Sequence, residues 1–454
     1  MNNTSPSTGP SGPGSSDRHA ARASSGRRVQ TFRALKHREF RALWISLVVS
    51  SVGTWIQIIS QSLLVLKITD GSAFALGAVS LTQALSFFVF ALLGGGLADR
   101  LDKRRLLLWT QSLSMGLACL LGLLTLTGVI QVWMIVLLAF CTGTVLSFDQ
   151  PMRASLVSQL VPKDDLMNAI SLQAVVFNGS AVLGPAIGGV TVGLFAALGQ
   201  QLGLTNPLLG FAGNFFLNAL SYLGILLVLY HLRLPAGSEG AERRGPMFSS
   251  IRAALSEVGH DRVLPWILMG YGALLFFGPS PALMLPYFAQ NLNLSDVQLG
   301  LFFSATGLGT VLGALLIASL GNYPRKVLLL IIAFPLWGAA LVLFAFSHLF
   351  GLSLFALLLL GIAQNGVSAP TITLLQTRVT PRMRGRVMSL NTLFVMGVRP
   401  LGDFPVGALI QGIGGPDTIL LCTGIVMIYT LYLGTLQLLD KPLGAKLSAR
   451  AAEE

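Results

Sequence analysis

Leu92–Leu108 reads LLGGGLADRLDKRRLLL, a run holding two carboxylates and four of the chain's thirty Lys and Arg residues between two long apolar segments. The glycines allow close helix approach, and the charged run has to stay in water, so the stretch forms a tight hairpin at a membrane face. Working outward from it, the 454 residues are 53% hydrophobic and only 11% charged. That is more apolar surface than a globular core absorbs, which excludes a soluble domain and leaves a polytopic membrane protein.

A hydrocarbon core of about 30 Å asks for about 20 apolar residues per helix. Runs of that kind cover 41–66, 73–97, 105–130, 132–156, 166–197, 208–232, 263–289, 296–320, 326–347, 351–375, 387–412 and 417–439, which gives twelve spans. Residues 1–31, rich in Ser, Gly, Pro, Thr and Asn, bury too little apolar surface to fold and read as a disordered tail. The tail is no signal peptide, because the first apolar run starts only near Phe40 and exceeds the length of a leader's core. The intervening TFRALKHREF is a basic amphipathic lead-in that suits an interfacial anchor. Cys119, Cys141 and Cys422 sit singly inside apolar runs and read as small core residues, neither disulfides nor metal ligands.

A net charge of +12 would suggest an acidic partner in a soluble protein, but here its distribution is what matters. Under the twelve-span topology, twenty-eight of the thirty basic residues fall on the side that holds both termini. By the positive-inside rule that side is cytoplasmic. The exceptions are Lys67, at the opposite face, and Arg399, within a span.

A period of about 220 residues divides the chain. Pro151 and Pro162 are eleven apart, as are Pro370 and Pro381, and a shift of 218 lays Ser171 on Ser389, Gly184 on Gly402 and Gly189 on Gly407. The expected architecture is therefore all-α and integral to the membrane. It comprises a six-helix bundle over 32–233, a cytoplasmic linker over 234–262, a second six-helix bundle over 263–440 and a cytoplasmic tail over 441–454. Parallel repeats of this kind describe a two-bundle transporter with a central cavity.

At this point the residues resemble a known family. Gly95-Gly96-Leu97-Ala98-Asp99-Arg100-Leu101-Asp102-Lys103-Arg104-Arg105 is similar to the signature G-x-x-x-D-R-x-G-x-R-R between the second and third spans of the major facilitator superfamily, with Asp102 in place of glycine. Gly184-Pro185-Ala186-Ile187-Gly188-Gly189 resembles the G-P-x-x-G-G core typical of its exporters and antiporters, with Ser171 and Ser180 where upstream glycines are usual. The run Pro151–Pro162, P-x-R-A-S-L-V-x-x-L-V-P, looks most like the branch of enterobactin exporters and multidrug efflux permeases. The resemblance covers about residues 32–440 and implies alternating access and, often, proton-coupled export of small apolar or amphiphilic compounds.

Four groups of residues carry the chemistry. Gly95, Asp99, Arg100 and Arg104 suit a latch that closes the cytoplasmic side, with plain loop charge as the bland alternative. Asp149 and Arg153 form an i, i+4 pair at the end of the fourth span, and relatives imply that Asp149 partners Arg100 or Arg104 in that latch. No Lys or Arg occurs between Leu106 and Met152, so the arginine that drug antiporters carry early in the fourth span is missing.

Gly184, Pro185, Gly188 and Gly189 suit either a hinge or a tight packing seam. Arg399 lies near the bilayer midplane with Asp403 one turn on, and the two read either as a proton-coupling switch or as a static ion pair. Gln57, Gln61, Tyr271, Gln364 and Asn365 are candidates for the substrate cavity, although amides in membrane helices more often bond a neighbouring helix. On the fourth span the cavity would find chiefly Thr142, Thr144 and Ser147.

No metal-ligand spacing, nucleophile constellation or phosphate-binding Gly-x-x-x-x-Gly-Lys segment is present, so neither an enzyme nor an ATP-driven pump is expected. The expectation is a secondary exporter that needs no cofactor beyond an ion gradient of protons. Its partners are a small-molecule substrate and the lipid bilayer, with no nucleic acid, and it works as a monomer in the cytoplasmic membrane. A lipid or lysolipid flippase on the same fold, and a non-transporting sensor or assembly factor, are the alternatives.

Overall fold

In a bilayer no water is at hand to satisfy backbone polar groups, so a spanning chain must close its own hydrogen bonds. The computed structural model, which describes residues 32–98, 102–204, 206–232, 255–259, 261, 264–320, 323, 326–380, 383, 387–388, 391 and 394–439, does this with helices throughout. The tails over 1–31 and 441–454 and most of the 234–262 linker lie outside the described residues.

The first bundle comprises α1 (Arg38–Ile68), α2 (Ala73–Ala98), α3 (Lys103–Leu126), α4 (Val132–Leu160), α5 (Lys163–Gln201) and α6 (Leu209–His231). The second comprises α7 (Leu264–Phe277), α8 (Pro281–Asn291), α9 (Asp296–Ser319), α10 (Lys326–Ala345), α11 (Phe350–Arg378), α12 (Arg399–Ile413) and α13 (Gly415–Leu439). Among the described residues, with α7 and α8 counted as one, eleven stretches are long and apolar enough to cross a membrane. The remaining span is α12 with the five-residue π turn Phe394–Val398 before it. Leu220, Leu315, Ile428 and Leu431 are 61, 61, 74 and 74% exposed, as side chains that face acyl chains should be.

The seventh span differs from the single run expected. Gly278-Pro279-Ser280-Pro281 contains two residues that precede proline, a position that disfavours helix, and the span divides there into α7 and α8. Ser280 starts α8 by accepting from the Leu283 N–H at 3.2 Å. By contrast, α5 runs unbroken through Pro185 and α4 through Pro151. Asp102, which replaces the signature's glycine, has φ −60° and caps α3 by accepting from the N–H groups of Arg104 and Arg105. The turn there needs no left-handed residue.

The two bundles meet at the end away from the termini. A Cβ on Gly77 of α2 would lie 2.7 Å from the Asp403 carbonyl oxygen of α12, and one on Gly407 would lie 2.6 Å from that of Ala73. Phe74 and Phe404 join across the same seam, their rings 5.1 Å apart. On the other side α5 and α9 close up, and Ser304 Oγ donates to the Val182 carbonyl at 2.8 Å. The apolar core mixes the halves at this end, where Leu64, Leu76 and Val79 bury with Leu283, Val406 and Ile410. At the termini end the buried cluster around Phe40, Leu107, Leu156 and Leu229 draws only on the first bundle.

Candidate functional site

The lead-in before α1 is pinned to the start of α5. Arg33 Nε lies 2.7 Å from one Asp165 carboxylate oxygen and His37 Nε2 2.9 Å from the other. The Ala34 N–H donates to Asn168 Oδ1 at 2.8 Å. Asp164 and Asp165 fall in the first turn of α5, where carboxylates favour the helix dipole. The segment expected to be an interfacial anchor is therefore held by the protein itself.

Of the expected latch, Gly95 lies near the end of α2, and Asp99 and Arg100 lie outside the described residues. Arg104 reaches α6, where its Nε donates to the Leu229 carbonyl at 2.7 Å and its Nη2 contacts the Tyr230 carbonyl. A guanidinium on the last carbonyls of a helix satisfies orphan acceptors and opposes the dipole. Asp149 is buried elsewhere, bonded to Arg153 Nη2 at 2.6 Å, Gln111 Nε2 at 2.5 Å and Thr110 Oγ1 at 3.1 Å. The implied pairing of Asp149 with Arg104 is thus not what this conformation holds. Arg104 precedes Thr110 by six residues, roughly 9 Å along α3.

At the far end the G-P-x-x-G-G core faces two neighbours at once. Cβ atoms on Gly184 and Gly188 would meet Trp55 and Ile59 of α1 at 2.5 and 2.8 Å, while Gly189 abuts the Asp296 carbonyl that opens α9. Asn214 of α6 ties the corner by donating to Ser60 Oγ at 2.8 Å and to the Gly188 carbonyl at 2.9 Å. Lys67, the one basic residue expected at this face, donates to the Pro207 carbonyl at 3.0 Å and stands 5.5 Å over the Phe211 ring. It shares a pocket of about 220 Å³ with Gln290 and Asp296 of the second bundle.

In the interior, Gln57 Oε1 accepts from Asn218 Nδ2 at 2.6 Å, the helix-to-helix bond that such amides favour. Gln61 and Gln364 are half-buried. Asn365 packs against Gly313 of α9, with its buried Oδ1 unpaired among the described residues. Thr142, Thr144 and Ser147 return their hydroxyls to carbonyls of their own helix, at 2.8, 3.0 and 2.6 Å.

Tyr271, Arg399 and Asp403 come together. Tyr271 and Asp403 are buried, and both stand within electrostatic reach of the Arg399 guanidinium. Arg399 and Asp403 nevertheless form no ion pair, because the carboxylate has other donors. It accepts the Ser280 N–H at 2.9 Å, at the break in the seventh span, and the hydroxyls of Ser280 and of Ser80 on α2 stand within its reach. Residues of both bundles therefore surround one carboxylate. Ser280 and Ser80 were missed from the sequence, although the G-P-S-P run marked the break that presents the first. Among the described residues, no group of three or more His, Cys, Asp or Glu side chains is placed to hold a metal ion.

The chain as a whole is similar to known proteins. Residues 29–448 match the family model described as transmembrane secretion effector. Enterobactin exporters of Citrobacter koseri and of Escherichia coli O81 are each 27% identical to the chain over 387 residues, covering 84% of it and 86% of the relative. A bacterial homologue of the human lysosomal transporter Spinster, in an inward-facing and unoccupied conformation, superposes with a TM-score of 0.69 at 15% identity, over 87% of this chain and 96% of that one. A bacterial homologue of the iron transporter ferroportin, also inward-facing, gives 0.67 at 15% identity over 87% and 98%. These two structures share the fold.

Proposed function

Because the chain belongs to the transmembrane secretion effector family of the major facilitator superfamily, we propose that it is a secondary active exporter of small amphiphilic or apolar compounds, such as drugs or siderophores. It works by alternating access and exchanges its substrate for protons. The observation that carries this reading is the one-ended seal: α2 with α12, and α5 with α9, close the end away from the termini, while the buried cluster at the termini end stays within one bundle. With the basic side placed in the cytoplasm, the conformation is inward-facing, ready to take substrate from inside. The relatives named as enterobactin exporters support the direction of transport.

Proton exchange rests on Asp403. Its carboxylate accepts the Ser280 N–H with Ser80 of the other bundle within reach, and its backbone lies against Gly77, so a proton placed on it would disturb the seam that seals the far end. In cells stripped of their own efflux pumps, expression should lower the accumulation of a panel of amphiphilic dyes, and collapse of the proton gradient should restore it. Unchanged retention across the panel would sink the export reading. Asp403→Asn protein that still exports uphill with the same dependence on the proton gradient would remove the coupling role alone.

A flippase is the second reading. A lateral groove of about 420 Å³, lined by Val182, Leu301, Ser304, Leu308 and Phe355 between α5, α9 and α11, favours it. Fluorescent lysolipid that crosses proteoliposomes only when the protein is present would decide for it.

A further inference from the structure

Helix α12 has two distinct sides. Leu401, Ala408 and Gly412 are exposed on one, and Arg399, Asp403, Val406 and Ile410 recur at spacings of four, three and four on the other, turned to the interior between the bundles. Val406 and Ile410 bury among the apolar side chains of both halves, and Arg399 stands seven residues before Val406, about 10 Å along the helix from it. A guanidinium there is expensive to keep and ordinarily has a carboxylate partner. Among the described residues Arg399 has none. No ion pair or hydrogen bond reaches it, its Nε is buried without an acceptor, and the carboxylate one turn away accepts the Ser280 N–H instead. Tyr271 of the seventh span, buried in the core of the second bundle, lies within electrostatic reach of it.

Resting on the export reading, we infer that Arg399 is the recognition group of the substrate site and that the preferred substrates are amphiphiles carrying an anionic oxygen group, such as a carboxylate, a sulfonate or an ionised phenol. The fork of the guanidinium matches such a group. Asp403 keeps the arginine tolerable in the empty protein by its field, without blocking its donors. An anionic group then completes the coordination that the protein leaves open. The neutral compounds that an apolar cavity would otherwise favour lack this term.

Two naphthalene probes that differ by one sulfonate test the inference: 1-anilinonaphthalene-8-sulfonate and N-phenyl-1-naphthylamine. Binding to the full chain in nanodiscs, corrected for empty nanodiscs, should favour the sulfonate by about tenfold or more, the scale of a charge-assisted hydrogen bond. In Arg399→Met the ratio of the two affinities should fall to about one, and Arg399→Lys should keep an intermediate ratio, because it retains charge without the fork. Should the Met variant fail to fold, the unaltered protein still decides. Naphthalene-1-sulfonate should displace bound N-phenyl-1-naphthylamine, and 1-naphthalenemethanol at the same concentration should not. Equal affinities in the unaltered protein, or a ratio that Arg399→Met leaves in place, overturn the inference, and if the neutral probe is still exported the export reading survives. If neither probe binds saturably nor leaves cells, both readings fall together.

Discussion

Two pairs of residues in this protein share a spacing and differ in what they do with it. Asp149 and Arg153 on α4 lie four apart and bond at 2.6 Å; Arg399 and Asp403 on α12 lie four apart and do not bond. The i, i+4 geometry that brings opposite charges together on a helix surface is available to both. What separates them is the competition. Around Asp149, α3 offers two side-chain donors, Thr110 and Gln111, and the carboxylate has room left for its own arginine. Around Asp403, the broken seventh span presents a free backbone N–H at 2.9 Å, and the hydroxyls of Ser280 and of Ser80 on α2 stand within reach. The local pair therefore wins only where no stronger set of donors is brought in from outside the helix.

The largest effect should come from breaking the bonded pair. Asp149 is 3% exposed, and its removal strands the Arg153 guanidinium, Gln111 and Thr110 together. Asp149→Ala should lower stability by about 3 kcal/mol, the low end for a buried pair because Arg153 remains 27% exposed along its side chain. Unfolding of the purified protein by increasing mole fraction of sodium dodecyl sulfate would measure it. Addition of Arg153→Met to that variant should recover part of the loss, since the uncompensated charge goes with it. A loss as small as that of a surface substitution would show that the pair is not the buried unit described here.

Next in size is a substitution that attacks the competitor. A Cβ on Gly402 would collide with the Phe276 carbonyl, so α12 lies against α7 only because residue 402 is glycine. Gly402→Val should cost about 2 kcal/mol by overpacking and should draw Asp403 away from Ser280. The comparison then makes a sharper demand. In the unaltered protein a double-mutant cycle of Arg399→Met with Asp403→Asn should give a coupling carried by the field alone, smaller than that of the bonded Asp149 with Arg153, which should exceed about 1 kcal/mol. In the Gly402→Val background the Arg399–Asp403 coupling should rise, as the freed carboxylate turns to its neighbour. A large coupling in the unaltered protein would erase the distinction between the two pairs.

How much of this was legible in the sequence follows from the range of the forces involved. The spans were readable because lipid imposes its demand on each helix separately: the expected start at 73 and the observed Ala73, or 296 and Asp296, agree for that reason. That Arg399 and Asp403 share one helix a turn apart was readable by the same logic. Their partners were not, since Ser280 lies 123 residues from Asp403 and Asn218 lies 161 from Gln57. Pro185 and Pro279 show the limit at closer range. Each follows a glycine, yet α5 passes through the first while the seventh span stops at the second, where Pro281 adds a further pre-proline restriction. Arg104 was read as a charge seeking a charge, and it found the carbonyl ends of α6, a partner that any sequence could supply and none announces.

The smallest effect concerns a single donor to the bonded pair. Thr110 Oγ1 lies 3.1 Å from Asp149 and also 3.1 Å from the Leu107 carbonyl of its own helix, and a hydroxyl has one proton to share between them. Thr110→Val keeps the shape and removes that proton. Because the carboxylate retains Arg153 and Gln111, and because the Leu107 carbonyl can still accept within the helix, no buried group is left bare. The loss should be about 0.5–1 kcal/mol, read in the same detergent titration as for Asp149→Ala. Gln111→Met removes an undivided bond at 2.5 Å and should therefore cost more than Thr110→Val. The reverse order would mean that the hydroxyl proton points wholly at Asp149, and the carboxylate would then depend on α3 more than on its own arginine.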